Sequence, residues 1–424
     1  MKLPFRAPQG SLWRHGDFLR LWSAQSVSAV GARITREGLP LAAVLTLKAP
    51  PAQLGVLAAL SLAPGLIVGL TAGGFVDRSR RRGILIGADL ARMAVLLTVP
   101  IAAWLHILTM GQLYVAAVLV GGASVLFEIA DHAYLPGLVG RDLILEANAK
   151  LSVTDSIAEI AGPALAGVLI QWLAAPLALA VNAATYLISA LFLSGIRTRE
   201  APPPAAANAK GHLLADLRAG TAVIWAGPLL RPLFLTAATG NLFIYFFASL
   251  YVVFAIRTLG LTPALLGVTV AVGGVSALVG ALFGPAMIRR LGIGPAYLVA
   301  GALAAGSALL IPMARGTGAS AMLFLVLAQL LGDGFGVIAG VASTSLRQSV
   351  TPPESLGRVG AVFQAGPGGL AMLGALAGGL LAGRLGIRPT LVIAAFGYAA
   401  APAWCLFSPL ARLREMPTPN APAS

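Results

Sequence analysis

Residues 73–82 read Gly-Gly-Phe-Val-Asp-Arg-Ser-Arg-Arg-Arg and decide how the chain folds. An apolar run, residues 54–76, leads into this segment, and a second, mainly apolar stretch begins at Gly83. Four arginines this close together are too costly to leave in hydrocarbon, so the segment must lie in water beside a bilayer. Clustered Arg and Lys on a short loop mark the cytoplasmic side of a membrane. The loop therefore sets the orientation of the helices around it.

The composition is that of a protein that crosses the bilayer many times. Hydrophobic residues make up 58% of the 424, charged residues make up 10%, and the mean hydropathy is +0.87. Soluble proteins carry about 25% charged residues. A helix that spans a membrane needs about 20 apolar residues, so the chain has room for roughly a dozen. The 50 glycines favour this interpretation, because small residues let membrane helices approach closely.

The basic residues behind the net charge of +14 are unevenly distributed between the two sides of the predicted membrane. Of the 29 Lys and Arg residues, 20 fall on the side of the 73–82 loop, five on the opposite side and four within helices or at their ends. This bias is the positive-inside pattern, and it predicts that both termini are cytoplasmic. The expected partners of these charges are the anionic headgroups of the lipid bilayer, and no nucleic acid is expected.

The sequence predicts no metal site, no cofactor and no enzymatic activity. Cys405 is the single cysteine and lies in an apolar stretch, which excludes a disulfide framework. The four histidines are scattered, and motifs of the type His-Glu-x-x-His or Gly-x-Ser-x-Gly are absent. A phosphate-binding glycine-lysine loop is also absent, which argues against a pump powered by a nucleotide. The start of the chain predicts no removable signal peptide.

Apolar segments predict twelve transmembrane helices in two sets of six. A Pro/Ala-rich stretch separates the sets, and its second part predicts an amphipathic helix on the membrane surface. We therefore expect an all-α integral membrane protein with an N-terminal six-helix bundle (1–196), a cytoplasmic linker (197–230) and a C-terminal six-helix bundle (231–424). The predicted spans are 21–47, 54–76, 84–105, 113–134, 151–173, 176–196, 232–256, 264–288, 295–314, 319–343, 356–385 and 390–407, with an inner loop at 136–148.

The two halves share a repeat at an offset of 212 residues. The matches fall at equivalent helix starts, loops and small-residue faces. They indicate a parallel repeat, which makes the two bundles pseudo-symmetric and places a substrate path between them. The aligned positions are Leu54-Gly55-Val56 with Leu266-Gly267-Val268, Arg78 with Arg290, Gly162 with Gly374, and Gly167 with Gly379.

These features resemble the major facilitator superfamily of transporters, and the resemblance covers essentially the whole chain. Residues 73–82 resemble that superfamily's signature between helices 2 and 3, with Arg80 in place of the usual small residue. The resemblance implies a conformational latch in which Asp77 holds the inner ends of helices 2 and 11 together. An acid near a helix N-terminus is a sound physical basis for such a latch. The alternative is that the arginines only enforce topology. The expected latch residues are Gly73, Asp77, Arg78 and Arg81.

A second motif lies on the fifth predicted helix. Residues 158–167 resemble the antiporter motif of the same superfamily, with Ala at the first and ninth positions. A Gly-Pro pair allows a kink and a small face permits close packing, so ordinary helix packing is the alternative explanation. As an antiporter motif, the segment implies export. Its residues are Glu159, Gly162, Pro163 and Gly167.

Two further segments, residues 134–149 and 358–361, resemble the bacterial branch that contains macrolide-efflux proteins and the enterobactin exporter. Most members of that branch couple the efflux of drugs or metabolites to protons. The resemblance therefore implies a protein of the bacterial cytoplasmic (inner) membrane that carries a small-molecule substrate against protons. A monomer is expected.

Ionisable residues inside the predicted spans are the candidates for proton coupling, because a charge in the membrane is unfavourable unless it is paired or solvated. Glu128 lies deep in helix 4, Asp333 lies near the middle of helix 10 between glycines, and Glu37 precedes a helix-breaking Pro40. These three carboxyl groups are the predicted proton carriers. The alternative for Glu37 is a neutral pair with Arg33 on the same helix face.

The remaining polar residues of the spans predict a substrate site. Glu159 is expected to pair with a basic residue such as Arg36, whereas Asp131 and His132 are expected at a solvated boundary. Aromatic residues of helix 7 suit a lipophilic cation, which they would bind by stacking and by cation–π contact. The predicted substrate-binding residues are Arg33, Arg36, Asn241, Tyr245, Phe246 and Gln329.

The sequence therefore predicts a secondary active transporter, a proton-coupled exporter of small amphipathic drugs or metabolites. It would work by alternating access, with two six-helix halves rocking around a central site. Proton-coupled uptake of a metabolite is the alternative within transport. A non-transporting membrane receptor or scaffold is the alternative outside it.

Overall fold

The computed structural model describes residues 12–198, 200 and 213–417, and helices are the regular secondary structure of these residues. Eleven helical segments in this part of the chain are long and apolar enough to cross a bilayer. A twelfth, the first in sequence, has 26 residues and is less apolar because it carries Arg33, Arg36 and Glu37. The predicted all-α fold with twelve membrane helices is confirmed. The helices are α1 (Gly16–Leu41), α2 (Pro51–Thr71), α3 (Arg81–Trp104), α4 (Met110–Val139), α5 (Ile144–Leu173), α6 (Ala175–Ser194), α7 (Leu230–Val253), α8 (Pro263–Leu291), α9 (Ile293–Ser307), α10 (Ala319–Val350), α11 (Leu356–Leu385) and α12 (Ile387–Ala400).

The predicted inner loop at 136–148 is wrong, because most of it is helical. α4 continues through Pro136 to Val139, and α5 begins at Ile144. The proline removes the helical hydrogen bond to the carbonyl group of His132, but its fixed φ is compatible with an α-helix, and the helix continues for one more turn. The chain reverses only at Gly140, whose φ of +78° is accessible to glycine without steric strain.

Two shorter helices lie outside the membrane spans. α2 ends at Thr71, earlier than predicted, and a short helix (Gly73–Asp77) follows before the chain enters α3. A helix of 14 residues, Leu213–Ala226, precedes α7 and is named here the linker helix. Its Gly220 packs against the carbonyl group of Arg358 at the start of α11, and Asp216 accepts a hydrogen bond from the Arg358 side chain at 2.9 Å. The linker helix is thus fastened to the C-terminal half (α7–α12).

The 212-residue repeat is visible in the backbone. A π-turn follows α1 at Ala42–Thr46, and another follows α7 at Phe254–Thr258. α5 and α11 begin and end at equivalent positions. Positive φ angles also recur in register, so the two halves share their turns as well as their helices. The paired positions are Lys48 (φ 51°) with Gly260 (φ 67°), His106 (φ 58°) with Gly318 (φ 92°), and Ala174 (φ 65°) with Gly386 (φ 90°).

The pair Ala174 and Gly386 predicts opposite effects of opposite substitutions. Ala174 has φ 65° and ψ 158°, a region of the backbone map that is essentially restricted to glycine. We expect Ala174→Gly to raise the free energy of unfolding by about 1 kcal/mol and Gly386→Ala to lower it by about 1–3 kcal/mol. Thermal unfolding of the purified protein, followed by tryptophan fluorescence, measures both. A lower melting temperature for Ala174→Gly would show that its backbone is not strained.

Two helix crossings join the halves, and the repeat relates them. At the crossing of α2 and α11, a Cβ added to Gly55 would lie 2.6 Å from the carbonyl oxygen of Ala375, and one added to Gly379 would lie 2.7 Å from that of Pro51. Only glycine fits such close backbone contact. The equivalent contacts between α5 and α8 are Gly267 against the carbonyl group of Pro163, and Gly167 against that of Pro263.

The halves close on each other at the end opposite the 73–82 loop, named here the distal end. Arg257 follows α7 and donates from Nη1 to the Ala49 oxygen (2.8 Å) and from Nη2 to the Val44 oxygen (2.9 Å). The backbone N–H of Ala264 donates to Oε1 of Gln171 at 3.3 Å. Among the described residues, these are the hydrogen bonds that join the halves. The space between the halves is therefore closed by hydrogen bonds at the distal end.

Candidate functional site

Four charged side chains form one cluster between α1 and α5. Glu159 binds both arginines of α1: its Oε2 lies 2.5 Å from Nη2 of Arg33, and its Oε1 lies 3.0 Å from Nη2 of Arg36. Arg36 also lies 3.5 Å from Glu37, between Nε and Oε1. The predicted pair of Arg36 and Glu159 is present. The alternative pair of Arg33 and Glu37 is not formed, because each of the two has another partner.

The antiporter-like segment of α5 makes this cluster possible. Gly162 lies one helical turn after Glu159, and a Cβ added there would lie 2.5 Å from Cγ of Arg33. The missing side chain therefore gives the Arg33 stem room to cross α5 and reach Glu159. Pro163 and Gly167 face α8 of the other half, at the crossing described above. The segment thus positions a charge on one side and a close helix contact on the other.

A cavity of about 610 Å³ lies between the two halves at this cluster. The N-terminal half (α1–α6) contributes Arg36 and Glu159 to its lining, and α10 contributes Gln329 and Asp333. The carboxylate of Asp333 rests directly against Gly273 of α8, where any Cβ would displace it. Within the described parts of the chain, Asp333 has no ion-pair partner. As far as the chain is described, the cavity therefore presents the unpaired carboxylate of Asp333 opposite a cluster in which arginines and glutamates neutralise each other.

Two other predicted proton carriers lie outside this lining. The Glu37 side chain is 13% exposed and lies behind Arg36. Glu128 is exposed on α4 and does not line the cavity. Asp131, one turn further along α4, is half-buried and accepts a hydrogen bond from Gln25 of α1, so its predicted solvated position is wrong. His132 is exposed.

The residues of α7 divide between the cavity and the core. Ile244 lines the cavity, whereas Phe246 is 6% exposed and packs against Gly378 of α11. Two residues turn an α-helix by about 200°, so Phe246 points away from the cavity and does not fit its predicted role in substrate binding. Asn241 lines a smaller, adjoining cavity, and Tyr245 is half-buried outside both linings.

The predicted latch residues surround the start of α3. Gly73 begins the short helix before the loop, and the guanidinium group of Arg78 folds back over Gly74. The side chain of Asp77 lies outside the described ones, so its role as a latch stays a prediction. The backbone N–H of Arg81 donates to Oε1 of Glu200 at 2.8 Å, and that of Arg82 donates to Oε2 at 3.2 Å. Glu200, which the sequence analysis did not single out, is thus the acid that caps α3.

A buried ion pair between α3, α4 and α6 was also missed. Asp89 and Arg92 are 0% and 4% exposed and bind each other. Ser189 donates to Asp89 Oδ2 at 2.6 Å, and the Arg92 guanidinium lies 4.5 Å from the ring centre of Phe127. The available signal was the Asp-x-x-Arg spacing inside an apolar stretch, which places both charges on one helix face.

A comparison of the chain with known protein families gives a result that agrees with the fold. The Major Facilitator Superfamily profile matches residues 21–375. The chain belongs to the Major Facilitator Superfamily. It is therefore a multi-pass membrane transporter and not an enzyme. Its placement in the efflux branch stays a prediction.

Relatives in this superfamily share about a quarter of their residues with the chain. The uncharacterized MFS-type transporter YfiS of Bacillus subtilis (strain 168) is 27% identical over 390 residues, which cover 88% of this chain and 89% of the relative. The multidrug efflux pump Tap of Mycolicibacterium fortuitum is 27% identical over 382 residues, which cover 86% and 90%.

Solved structures share the fold at low sequence identity. A bacterial homologue of the iron transporter ferroportin, in its inward-facing state, matches with a TM-score of 0.75 and 16% identity over 94% of this chain and 99% of that chain. A bacterial homologue of the lysosomal transporter Spinster, inward-facing and unoccupied, matches with a TM-score of 0.71 and 15% identity over 94% and 98%. These likenesses concern the fold alone.

Proposed function

We propose that this superfamily member exports small lipophilic cations from the cell in exchange for protons. The observation that supports the proposal is the cavity between the halves, in which Asp333 has no ion-pair partner among the described residues while Arg36 and Glu159 neutralise each other. An unpaired carboxylate attracts either a cation or a proton but holds only one of them well. Competition between the two for the same group is the simplest basis of antiport.

Asp333 is the first proton carrier in this proposal. Glu37 is the second, because its only ion pair in the described chain is the long one to Arg36. Glu128 is the third, and it ranks last because its exposed side chain does not line the cavity. Gln329 lies one turn before Asp333 on α10 and offers a hydrogen bond to the bound substrate. Arg33, with Arg36, holds the N-terminal wall of the site through Glu159.

The direction of transport follows from the orientation that the positive-inside rule gives the chain. With the 73–82 loop in the cytoplasm, the closed distal end would face outward, and the cavity would receive substrate from inside. The halves would then rock about the glycine crossings and open distally. A proton from outside would displace the substrate from Asp333 and accompany the return. The antiporter-like segment of α5 and the printed name of the relative from Mycolicibacterium fortuitum also favour export.

Accumulation of a lipophilic cation in cells tests the direction. Cells that express the chain are expected to hold less ethidium than cells with the empty vector, and a protonophore should abolish the difference. Higher accumulation in expressing cells would show uptake instead. Equal accumulation, with the protein shown to be in the membrane, would contradict a carrier of such cations.

A further inference from the structure

A second, smaller cavity adjoins the first inside the C-terminal half. It has a volume of about 220 Å³ and lies between α7, α9, α10 and α12; we call it the side chamber. The side chamber and the central cavity share Ile244, Ala304, Gly336 and Tyr398 in their linings, so the two spaces are neighbours. Its walls on α9 and α10 are mainly glycine and alanine. The chamber therefore exists because small residues leave it open.

The N-terminal half fills the equivalent space with larger side chains. The 212-residue repeat pairs each chamber residue with a counterpart. On α10 the chamber residue is the smaller member of every pair, whereas on α7 Thr236, Asn241 and Ile244 are larger than their counterparts. Four pairs in which the chamber residue is the smaller are Gly301 with Asp89, Ala304 with Arg92, Ala339 with Phe127, and Ala401 with Ser189.

The space in the N-terminal half that corresponds to the side chamber is filled by packed side chains. Arg92 lies over the rings of Phe127 and Tyr186, 4.5 and 4.2 Å from their centres. Its charge is neutralised by Asp89, which also accepts from Ser189. Tyr186 has its own counterpart in Tyr398, so one wall is the same in both halves. An unfilled apolar cavity lowers stability in proportion to its volume. We therefore infer that a ligand occupies the side chamber of the C-terminal half.

We propose that the side chamber receives the aromatic ring of an organic cation, whose charged end faces Asp333; this rests on the proposed function. A cavity of about 150 Å³ lined by apolar residues holds a benzene ring, so a chamber of about 220 Å³ holds one ring with substituents. Asp333 lies one turn before Gly336 on α10, at the wall that the two spaces share. Tyr398 lines both spaces and supplies an aromatic ring for contact with the cation.

Equilibrium binding of two matched cations tests the proposal. Benzyltriethylammonium and tetraethylammonium carry the same charge and differ by one ring. Isothermal titration of the full chain in lipid nanodiscs gives both dissociation constants. We expect the benzyl compound to bind at least about tenfold more tightly, because only its ring is buried in the chamber. Ala339→Phe, which copies Phe127, and Gly340→Leu are both expected to bring the two constants within about twofold of each other.

Two features of the structure distinguish a loss of the binding preference from a folding defect in the variants. A Cβ at Gly340 meets nothing within 4 Å, so its leucine projects into open chamber space. Gly383 of α11 also has open space around its Cβ and lies outside the chamber, so Gly383→Leu is the matched control and should keep the tenfold preference. An unchanged preference in folded Ala339→Phe and Gly340→Leu overturns the side chamber while the proposed exporter stands. If the wild type binds neither cation, the proposed substrate class fails and the chamber's role fails with it.

Discussion

Asp333→Asn is expected to lower proton-driven substrate flux by about a hundredfold, the scale on which the loss of a positioned proton-transfer group acts. Asparagine has nearly the same shape and fits the space beside Gly273, but it neither takes up a proton nor attracts a cation. Exchange of labelled for unlabelled substrate across the membrane does not need a proton. We therefore expect exchange at saturating substrate to fall far less than net flux.

Proteoliposomes with an imposed pH gradient measure both rates on one preparation. Glu354 is exposed in the turn before α11, away from the cavity, and Glu354→Gln should keep net flux within about twofold of the wild type. Glu37→Gln and Glu128→Gln then rank the other two carriers. If Asp333→Asn retains full net flux, the proton is carried elsewhere and the assignment of Asp333 is wrong.

Asp89→Ala is expected to lower the free energy of unfolding by about 3–5 kcal/mol, because it leaves the Arg92 guanidinium buried without its counter-charge. Arg92 is 4% exposed, and its Nε already has no hydrogen-bond partner among the described residues. The surrounding Phe127 and Tyr186 rings offset only a fraction of that charge. The remaining penalty appears as a lower melting temperature.

A second variant separates the effect of charge from the effect of side-chain volume at the buried pair of Asp89 and Arg92. The double substitution Asp89→Leu with Arg92→Met removes both charges and keeps the space filled, so its stability should lie within about 1–2 kcal/mol of the wild type. Thermal unfolding of Asp89→Leu, of Arg92→Met and of the double variant gives the coupling energy of the pair. A melting temperature of Asp89→Ala equal to that of the wild type would show that water or another group reaches Arg92.

Much of the fold could be predicted because a bilayer constrains helices so strongly. Span lengths, the basic loop at 73–82 and the 212-residue repeat each follow from local composition. The repeat even indicated the packing, since its matched glycines Gly55, Gly167, Gly267 and Gly379 lie at the two crossings of the halves. The prediction of a loop at 136–148 was wrong because Pro136, near the end of the helix, does not stop it.

The site was harder to predict than the fold. The contact of Glu159 with Arg33 was not predicted, because it depends on how α1 and α5 cross, and the spacing of residues along one helix carries no information about that crossing. Phe246 was assigned to the cavity by its chemistry, although its position on the helix turns it into the core. The side chamber left no motif at all, because a hollow consists of residues that are small. What distinguishes the chamber is its difference from the equivalent space in the N-terminal half, which Asp89 and Arg92 fill.

Luminal pH during substrate efflux tests the exchange of a cation for a proton most directly. Proteoliposomes are loaded with ethidium and a pH-sensitive dye, clamped at zero membrane potential with potassium and valinomycin, and diluted into buffer without ethidium. The account predicts that the lumen acidifies as ethidium leaves, and that Asp333→Asn abolishes the acidification. A lumen that becomes alkaline as ethidium leaves, or whose pH does not change, would contradict it.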